Sequence, residues 1–369
     1  MRDKSKILFV LPSLQGGGAE KVVLNVIDRL DKNKYEPILF LFVKDGAYLE
    51  KMPKGIKLKY ALEKGNRFTK HPFKVMKELI KESKRADLIV SSLELTTTYI
   101  SIIAGLIARR PTLGWIHIDL KEFEAAKKIS HQILLKSLYP LLNGAITVSQ
   151  GVKKSVLTVV PSLKEKVEVV YNPLPVKEIK RLGNQPVSYE SNNPMILAAG
   201  RLTYQKSFDF LIRCHANLIR QGIMHDLVIL GEGEEKDELQ SLIRKLGVEN
   251  TVFLMGFQEN PYSWMEKADI FVLSSRFEGF GMVIAEAMAL GVPVVSTDCP
   301  SGPVELLNNG EYGILVESQN EEEMCNAIKN MLNDEDVRRL YQMKGLARVE
   351  HFDESNIIPQ LEEFFSRFI

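Results

Sequence analysis

Residues 270–295 read IFVLSSRFEGFGMVIAEAMALGVPVV, and this stretch decides the fold. It opens with an apolar run at 270–273, turns through glycines, continues as a short helix from about Met282 and closes with a second apolar run from residue 292. A strand, a turn, a helix and a strand in this order are typical of parallel α/β sheets, whose buried strands are almost continuously apolar.

Two glutamates, Glu278 and Glu286, lie on either side of the start of this helix. Glu278 precedes the helix and Glu286 lies roughly one turn inside it, so the two carboxylates reach different parts of one ligand. The free N–H groups and the positive dipole end of a helix N-terminus suit a phosphate. The pair therefore suggests a hydroxyl-bearing nucleotide ligand, and a chance spacing of two acids is the alternative.

The same alternation of apolar strands and amphipathic helices runs along the whole chain in two halves. The first half begins at residues 7–11 and turns through Gly16-Gly-Gly18, and the second begins at residues 195–199. Prolines within 172–175 and polar residues at 183–194 interrupt the pattern, as expected of a linker. We therefore predict an α/β fold with two Rossmann-like doubly wound domains that face each other across a cleft, where the carboxyl ends of the strands bind ligands.

The length and composition of the chain suit this organisation. The 369 residues, of which 45% are hydrophobic and 26% charged, are enough for two ordinary soluble domains. We predict a first domain at 1–178, a second at 179–354, and a C-terminal helix at 355–369 that packs back on the first. The apolar stretch 99–108 is about half as long as a membrane-spanning helix, and the N-terminus leads directly into a strand, so we expect a cytoplasmic protein.

Charge is distributed unequally along the chain. The formal net charge is +1, but residues 1–180 carry 32 Lys and Arg against 18 Asp and Glu, and the remaining residues carry 16 against 29. A basic first half suggests an anionic partner, either nucleic acid or the anionic leaflet of a membrane. Much of the excess lies in residues 51–85, and the solvated faces of ordinary helices are the alternative explanation.

Residues that bind metal ions do not cluster in the sequence. The three cysteines, Cys214, Cys299 and Cys325, are scattered and lack metal-ligand spacing, which argues against zinc and fits a reducing compartment. The acidic run Asp334-Glu-Asp336 falls between two predicted helices, and we interpret it as a helix start. We therefore predict no metal site and no cofactor.

A second charged motif follows the first strand of the second half. Residues 200–206 read GRLTYQK, so Arg201 and Lys206 both project from a strand-to-helix turn. Arginine provides a planar pair of donors and lysine a point charge, and together they suit a diphosphate. Positive charge there stabilises the negative charge of a departing nucleoside diphosphate. A pair of exposed loop cations is the alternative.

These motifs together resemble those of the retaining glycosyltransferases of family 4, which have the GT-B fold. The resemblance covers essentially the whole chain and is most specific in the second half. It rests on the spacing of Arg201 and Lys206, the turn Ser275-Arg-Phe-Glu-Gly-Phe-Gly281, Glu286 eight residues after Glu278, and the Gly-Val-Pro-Val-Val-Ser that follows.

The resemblance implies roles for individual residues. Four belong to the reacting centre: Arg201 and Lys206 at the donor diphosphate, Glu278 at the donor sugar and His117 near that sugar. Glu286 binds the ribose hydroxyls. The other implied donor-binding residues are Gly16 and Gly17 in the first half, and Gly231, Gly233, Phe257, Gly279, Phe280 and Gly281 in the second. A structural histidine is the alternative for His117, and ordinary turns are the alternative for the glycines around residue 231.

The implied activity is the transfer of a hexose or N-acetylhexosamine from a nucleotide sugar, most simply a UDP-sugar, to a glycan. The acceptor is a lipid-linked or surface-polysaccharide glycan, and the reaction retains configuration without a metal ion. The basic first domain then contacts the inner face of the cell membrane peripherally and binds no nucleic acid. A UDP-N-acetylglucosamine 2-epimerase and a non-catalytic nucleotide-sugar-binding protein are the alternatives.

Overall fold

The computed structural model describes residues 4–369, which divide into two compact units. The first unit extends to Pro173 and takes in the C-terminal segment Glu354–Ile369, and the second unit is Leu174–Asp353. The predicted domain boundary after residue 178 falls inside a helix of the second unit. Each unit is built on its own parallel sheet.

Seven strands within residues 4–173 form the sheet of the first unit, and all pair in parallel. They are β1 (Ser5–Leu11), β2 (Tyr35–Lys44), β3 (Lys57–Glu63), β4 (Leu88–Ser91), β5 (Thr112–Ile116), β6 (Gly144–Thr147) and β7 (Val167–Val169). Their spatial order is β3-β2-β1-β4-β5-β6-β7. The chain therefore reverses its direction of travel across the sheet between β1 and β4, which is where doubly wound sheets bind ligands.

Helices cover this sheet. They are α1 (Gly18–Arg29), α2 (Pro72–Ser83), α3 (Thr96–Ala108), α4 (Glu124–Lys127), α5 (Ile129–Leu138), α6 (Gln150–Val159) and the last helix of the chain, α15 (Glu354–Ser366). Helix α15 packs within the first unit, where the Phe365 ring meets the edge of Phe9 at 6.0 Å. The backbone N–H of Asp31 also donates to the Glu362 carboxylate at 2.7 Å.

The second unit repeats the arrangement with a six-stranded parallel sheet within residues 174–353. Its strands are β8 (Met195–Ala199), β9 (Asp226–Leu230), β10 (Val252–Gly256), β11 (Ile270–Leu273), β12 (Val294–Asp298) and β13 (Ile314–Glu317). Its helices are α7 (Val176–Gly183), α8 (Phe208–Arg220), α9 (Lys236–Leu246), α10 (Tyr262–Glu266), α11 (Met282–Ala289), α12 (Pro303–Leu306), α13 (Glu321–Asn333) and α14 (Glu335–Val349). The strand order β10-β9-β8-β11-β12-β13 places the reversal between β8 and β11.

Several local predictions are confirmed. Strands β8 and β11 have the predicted bounds, and α11 begins at Met282 as expected. Asp334 starts α14, since its carboxylate accepts the backbone N–H of Val337 at 3.0 Å. Strand β3 was missed because it lies at the sheet edge and exposes lysines, so its sequence resembles a polar segment.

No helix within residues 4–369 is at once long enough and apolar enough to cross a bilayer.

Two histidines are buried in the second unit as a hydrogen-bonded chain. His225 Nδ1 donates to the carbonyl of Ile223 at 2.9 Å, so its Nε2 accepts from His215 Nδ1, also at 2.9 Å. His215 Nε2 then accepts the Thr251 hydroxyl at 2.9 Å. Both rings are satisfied in the neutral form. Burial lowers the pKa of His215 to about 3 and also lowers that of His225.

The two buried histidines make the free energy of unfolding depend on pH. The unfolded chain takes up a proton on His215 near its ordinary pKa of 6.5, whereas the folded protein does so only near 3. Stability is therefore complete above about pH 6.5 and falls as the pH drops towards 3, by about 1.4 kcal/mol per pH unit from His215 alone. Denaturant titrations at pH 5, 6 and 7 measure this slope. We expect His215→Gln to reduce the slope and His351→Gln, at an exposed position, to leave it unchanged.

Candidate active site

The loops after β8 and β11 meet at the carboxyl edge of the second sheet. These strands are neighbours, with Ile270 opposite Ile196 and Phe271 opposite Leu197. The backbone N–H of Arg276 donates to the carbonyl of Gln205 at 2.8 Å, and the Ser274 hydroxyl donates to the carbonyl of Lys206, also at 2.8 Å. The two predicted motifs therefore share one site at the reversal of strand order.

An ion pair between Lys206 and Glu278 forms the centre of this site. Lys206 Nζ lies 2.5 Å from Glu278 Oε1, and the two side chains are only 15% and 9% exposed. The Ser275 hydroxyl donates to the same carboxylate oxygen at 2.7 Å. Glu278 Oε1 therefore accepts two hydrogen bonds, one from a cation and one from a hydroxyl, which hold the carboxylate in place.

Arg201 stands apart from this ion pair. Its side chain is exposed, and within residues 4–369 its guanidinium makes no hydrogen bond or ion pair. The structure thus brings Lys206 and Glu278 together. Arg201 lies on the same loop as Lys206, but among the residues that the structure describes its charge is not paired with an acid. Its five donors are available to an anion.

Glu286 occupies a different environment from Glu278. It lies in the second turn of α11, is 5% exposed and accepts the Tyr262 hydroxyl at 3.0 Å. An acid held in this way on a helix accepts hydrogen bonds in a fixed direction. This geometry suits recognition of sugar hydroxyl groups better than proton transfer.

The turn between the two acids is anchored by packing. The buried ring of Phe280 meets the edge of Phe352 at 5.3 Å. The Gly302 N–H approaches the carbonyl of Gly279 at 3.3 Å. Gly281, the last residue before α11, has φ 87° and ψ 47°, a left-handed conformation that aims the first N–H groups of the helix.

Replacing Gly281 by alanine tests this conformation. A Cβ atom there meets only ordinary contacts, at 3.4 Å from Ile284, so the cost comes from the positive φ. We expect the free energy of unfolding to fall by about 1–2 kcal/mol, measured by denaturant titration. Gly18→Ala is the control, because its Cβ meets open space at the start of α1. Equal effects of the two substitutions would contradict the assignment.

The glycines after β9 permit a close approach of two loops. A Cβ atom on Gly231 would lie 1.9 Å from the carbonyl oxygen of Gly200, and one on Gly233 would lie 2.2 Å from that of Leu202. These loops therefore border the Arg201–Lys206 segment, and only glycine fits there. Phe257 follows β10 with its ring about half exposed.

The glycine loop of the first unit has Glu20 as a partner, a residue absent from the predicted site. The backbone N–H groups of Gly16 and Gly17 donate to the Glu20 carboxylate at 2.8 Å and 3.2 Å. A phosphate that used these two groups would have to displace Glu20. The signal was available in the sequence, because a glutamate in the first turn of a helix commonly reaches back to the preceding N–H groups.

His117 directly follows β5. Its ring lies 5.0 Å from that of Trp115, and both imidazole nitrogens are buried without a hydrogen-bond partner within residues 4–369. Burial lowers the pKa of His117 to about 3, so the ring is neutral at physiological pH. A neutral imidazole has one donor and one acceptor, and both are unused here.

Both halves of the chain match models of known protein families. Residues 16–178 match the model described as Glycosyltransferase Family 4, and residues 184–346 match the model of glycosyl transferases group 1. The chain belongs to glycosyltransferase family 4. The family assignment made from the sequence motifs is confirmed, and the protein is a transferase of this class.

Relatives of this family-4 glycosyltransferase include named bacterial glycosyltransferases. The N-acetylgalactosamine-N,N'-diacetylbacillosaminyl-diphospho-undecaprenol 4-alpha-N-acetylgalactosaminyltransferase of Campylobacter jejuni is 36% identical over 62% of this chain, and the chain spans 61% of that relative. The lipopolysaccharide 1,6-galactosyltransferase of Salmonella typhimurium is 26% identical, over 84% of this chain and 85% of the relative.

Solved structures agree on the fold of the family-4 glycosyltransferase. Anabaena HepE in complex with UDP-glucose matches with a TM-score of 0.83 and 25% identity, covering 98% of this chain and 99% of that one. A sucrose-phosphate synthase of Thermosynechococcus elongatus matches with a TM-score of 0.79 and 17% identity, covering 99% of both chains. The predicted α/β class with two Rossmann-like doubly wound domains, the GT-B fold, is confirmed.

Proposed function

We propose that this protein is a retaining glycosyltransferase that moves a hexose or N-acetylhexosamine from a UDP-sugar to a hydroxyl of a lipid-linked or surface-polysaccharide glycan. The observation that carries the proposal is the largely buried pair of Lys206 and Glu278 beside the N-terminus of α11. It combines a cation for a diphosphate with an acceptor for sugar hydroxyls. The UDP-glucose in Anabaena HepE supports the donor class. The activities for which the Campylobacter and Salmonella relatives are named support the acceptor class.

In this proposal the donor lies along the carboxyl edge of the second sheet. Arg201 and Lys206 bind its diphosphate, with the backbone of Gly279, Phe280 and Gly281 beside the sugar and β-phosphate. Glu286 accepts hydrogen bonds from the ribose hydroxyls. The loops that carry Gly231, Gly233 and Phe257 border the base. Gly16, Gly17 and His117 of the first unit complete the set of donor residues.

The chemistry depends on the leaving group. The bond from the anomeric carbon to the β-phosphate oxygen breaks, the acceptor oxygen bonds to the same face of that carbon, and the acceptor proton passes to the departing phosphate. Lys206, Arg201 and the α11 N-terminus stabilise the charge that develops on that phosphate. No divalent ion is required in this scheme. Glu278, held by Lys206 and Ser275, orients the sugar without taking a proton.

Donor class and reaction type are tested together. We expect UDP-sugars to raise the thermal unfolding midpoint by several degrees and GDP- and ADP-sugars to raise it less. With an undecaprenyl-diphosphate-linked glycan, nuclear magnetic resonance of the product should show the same anomeric configuration as the donor. An inverted product would refute retention. Conversion of the donor to an epimer without acceptor would favour the epimerase, and UDP-sugar binding without turnover would favour a non-catalytic protein.

We further propose that the first unit contacts the inner face of the cell membrane peripherally. Helix α5 supports this, because it exposes Ile129 by 80% and Ile133 by 60%. Its exposed neighbours Lys128 and Lys136 form no ion pair within residues 4–369. Apolar side chains flanked by lysines suit an anionic interface, where each lysine contributes about 1 kcal/mol.

The basic segment 51–85 is a weaker candidate for this contact. Several of its cations are already paired within the first unit: Lys57 with Glu36, Lys81 with Glu78, and Arg85 with Glu82. Local pairing reduces the charge that this surface presents to a membrane. Part of the lysine excess in this segment is therefore explained by ordinary solvent-exposed faces, the alternative given in the sequence analysis.

Flotation with vesicles tests the membrane contact. We expect binding to vesicles that contain phosphatidylglycerol and little binding to pure phosphatidylcholine. Ile129→Ser with Ile133→Ser should weaken binding about tenfold or more, because two exposed apolar anchors are lost. Phe73→Ser is the matched control, since Phe73 is 89% exposed but lies on α2. Binding that does not depend on lipid charge and salt would contradict the membrane contact, and an equal loss in the control would contradict its assignment to α5.

A further inference from the structure

The turn after β4 in the first unit is strained. Leu95 has φ 55° and ψ −119°, a conformation that a bulky residue rarely adopts. Its N–H donates to the hydroxyl of the fully buried Tyr139 at 3.0 Å. The Thr98 hydroxyl donates to the carbonyl of Leu93 at 2.8 Å. Surrounding hydrogen bonds hold this conformation, and strained residues of this kind concentrate at functional sites.

Glu94 lies in this turn, directly before Leu95, and its side chain contacts the next strand segment. Its carboxylate accepts the backbone N–H of His117 at 3.2 Å, which ties the turn after β4 to the segment after β5. The two strands are neighbours, with Ser91, the last residue of β4, opposite Gly114 of β5. The hydrogen bond therefore fixes the backbone from which the His117 ring projects.

The position is costly for an acid. Glu94 is partly buried, and within residues 4–369 no lysine, arginine or histidine side chain pairs with it. Burial raises the pKa of Glu94, whereas the hydrogen bonds that its carboxylate accepts from backbone N–H groups lower it. A desolvated acid without a cation destabilises a fold, so its presence is better explained by activity than by stability.

We propose that Glu94 is a positioning residue for the transfer reaction, and that it acts by holding the His117 backbone so that the imidazole meets a hydroxyl of the donor sugar. The inference rests on the proposed function of His117. The two unpartnered ring nitrogens are the groups that such a hydroxyl would satisfy, since it both donates and accepts. Small displacements of a positioned group lower rates strongly, by about a hundredfold for 1 Å.

Substitutions of Glu94 test the inference through rate and stability together. We expect Glu94→Ala to lower kcat about tenfold to a hundredfold with little change in KM for the UDP-sugar. Its thermal midpoint should stay level or rise, because a desolvated acid is removed. Glu94→Gln should keep activity within about threefold, since its amide oxygen accepts the same N–H. Glu82→Ala is the matched control, a buried acid of the same unit that pairs with Arg85 and should leave transfer unchanged.

A double-variant cycle with His117→Ala separates the outcomes. If Glu94 acts through His117, the double variant is no slower than His117→Ala alone. Full activity of His117→Ala would refute the proposed role of His117, and the inference with it. Loss of activity in His117→Ala with full activity in Glu94→Ala would overturn the inference alone. Multiplicative losses, or a Glu94→Ala loss accompanied by a lower thermal midpoint, would also overturn it.

Discussion

Replacing Lys206 by alanine should lower kcat/KM for sugar transfer by about a thousandfold, the loss typical of a group that stabilises transition-state charge. Two effects combine. The ammonium that we propose binds the departing diphosphate is removed, and the Glu278 carboxylate, 2.5 Å from it and 9% exposed, loses its counter-ion. An uncompensated carboxylate then repels the leaving phosphate. We expect the larger change in kcat, because charge on the phosphate increases as the bond breaks.

Steady-state kinetics with varied UDP-sugar, together with a thermal unfolding curve, measure this effect. Lys236→Ala is the matched control, because Lys236 pairs with Glu232 at 3.0 Å in the same unit but both side chains are about half exposed. Exposed pairs contribute little, so this variant should transfer sugar at the normal rate. The double variant Lys206→Ala with Glu278→Gln should regain part of the loss, since the repelling charge is gone. Full activity of Lys206→Ala would refute the assignment.

Replacing Glu286 by alanine should weaken binding of UDP itself about 10- to 100-fold, which corresponds to losing charge-assisted hydrogen bonds to the ribose. The carboxylate is 5% exposed and rigidly placed on α11, so water replaces it poorly. The effect should be similar with UDP and with UDP-sugar, because the ribose is common to both. Isothermal titration calorimetry measures it directly.

Tyr262 provides the control for Glu286. Its hydroxyl donates to Glu286 at 3.0 Å, and Tyr262→Phe removes that hydrogen bond while it keeps the carboxylate. We expect this variant to bind UDP within about threefold of the unchanged protein. If Glu286→Ala binds UDP normally, or if Tyr262→Phe weakens binding as much, the carboxylate acts only through packing and the ribose assignment is wrong.

Much of the fold could be predicted because its signals are local. The apolar run of β11, the glycine turn and α11 are consecutive, so their identities follow from periodicity and from the conformations that glycine allows. Edge strand β3 was missed because its exposed lysines remove the apolar signal. The same lysines were counted in a basic surface, although Lys57 is paired with Glu36.

The sequence by itself determined the α/β class, the family and the placement of Glu286 on a helix, since each depends on residues close together in the chain. Tertiary structure alone decided which groups meet. Lys206 pairs with Glu278 across 72 residues because β8 and β11 are neighbours in the sheet. Glu94 reaches the His117 backbone because β4 lies beside β5. Strand adjacency is set by how the whole chain packs, so no local pattern encodes these partners.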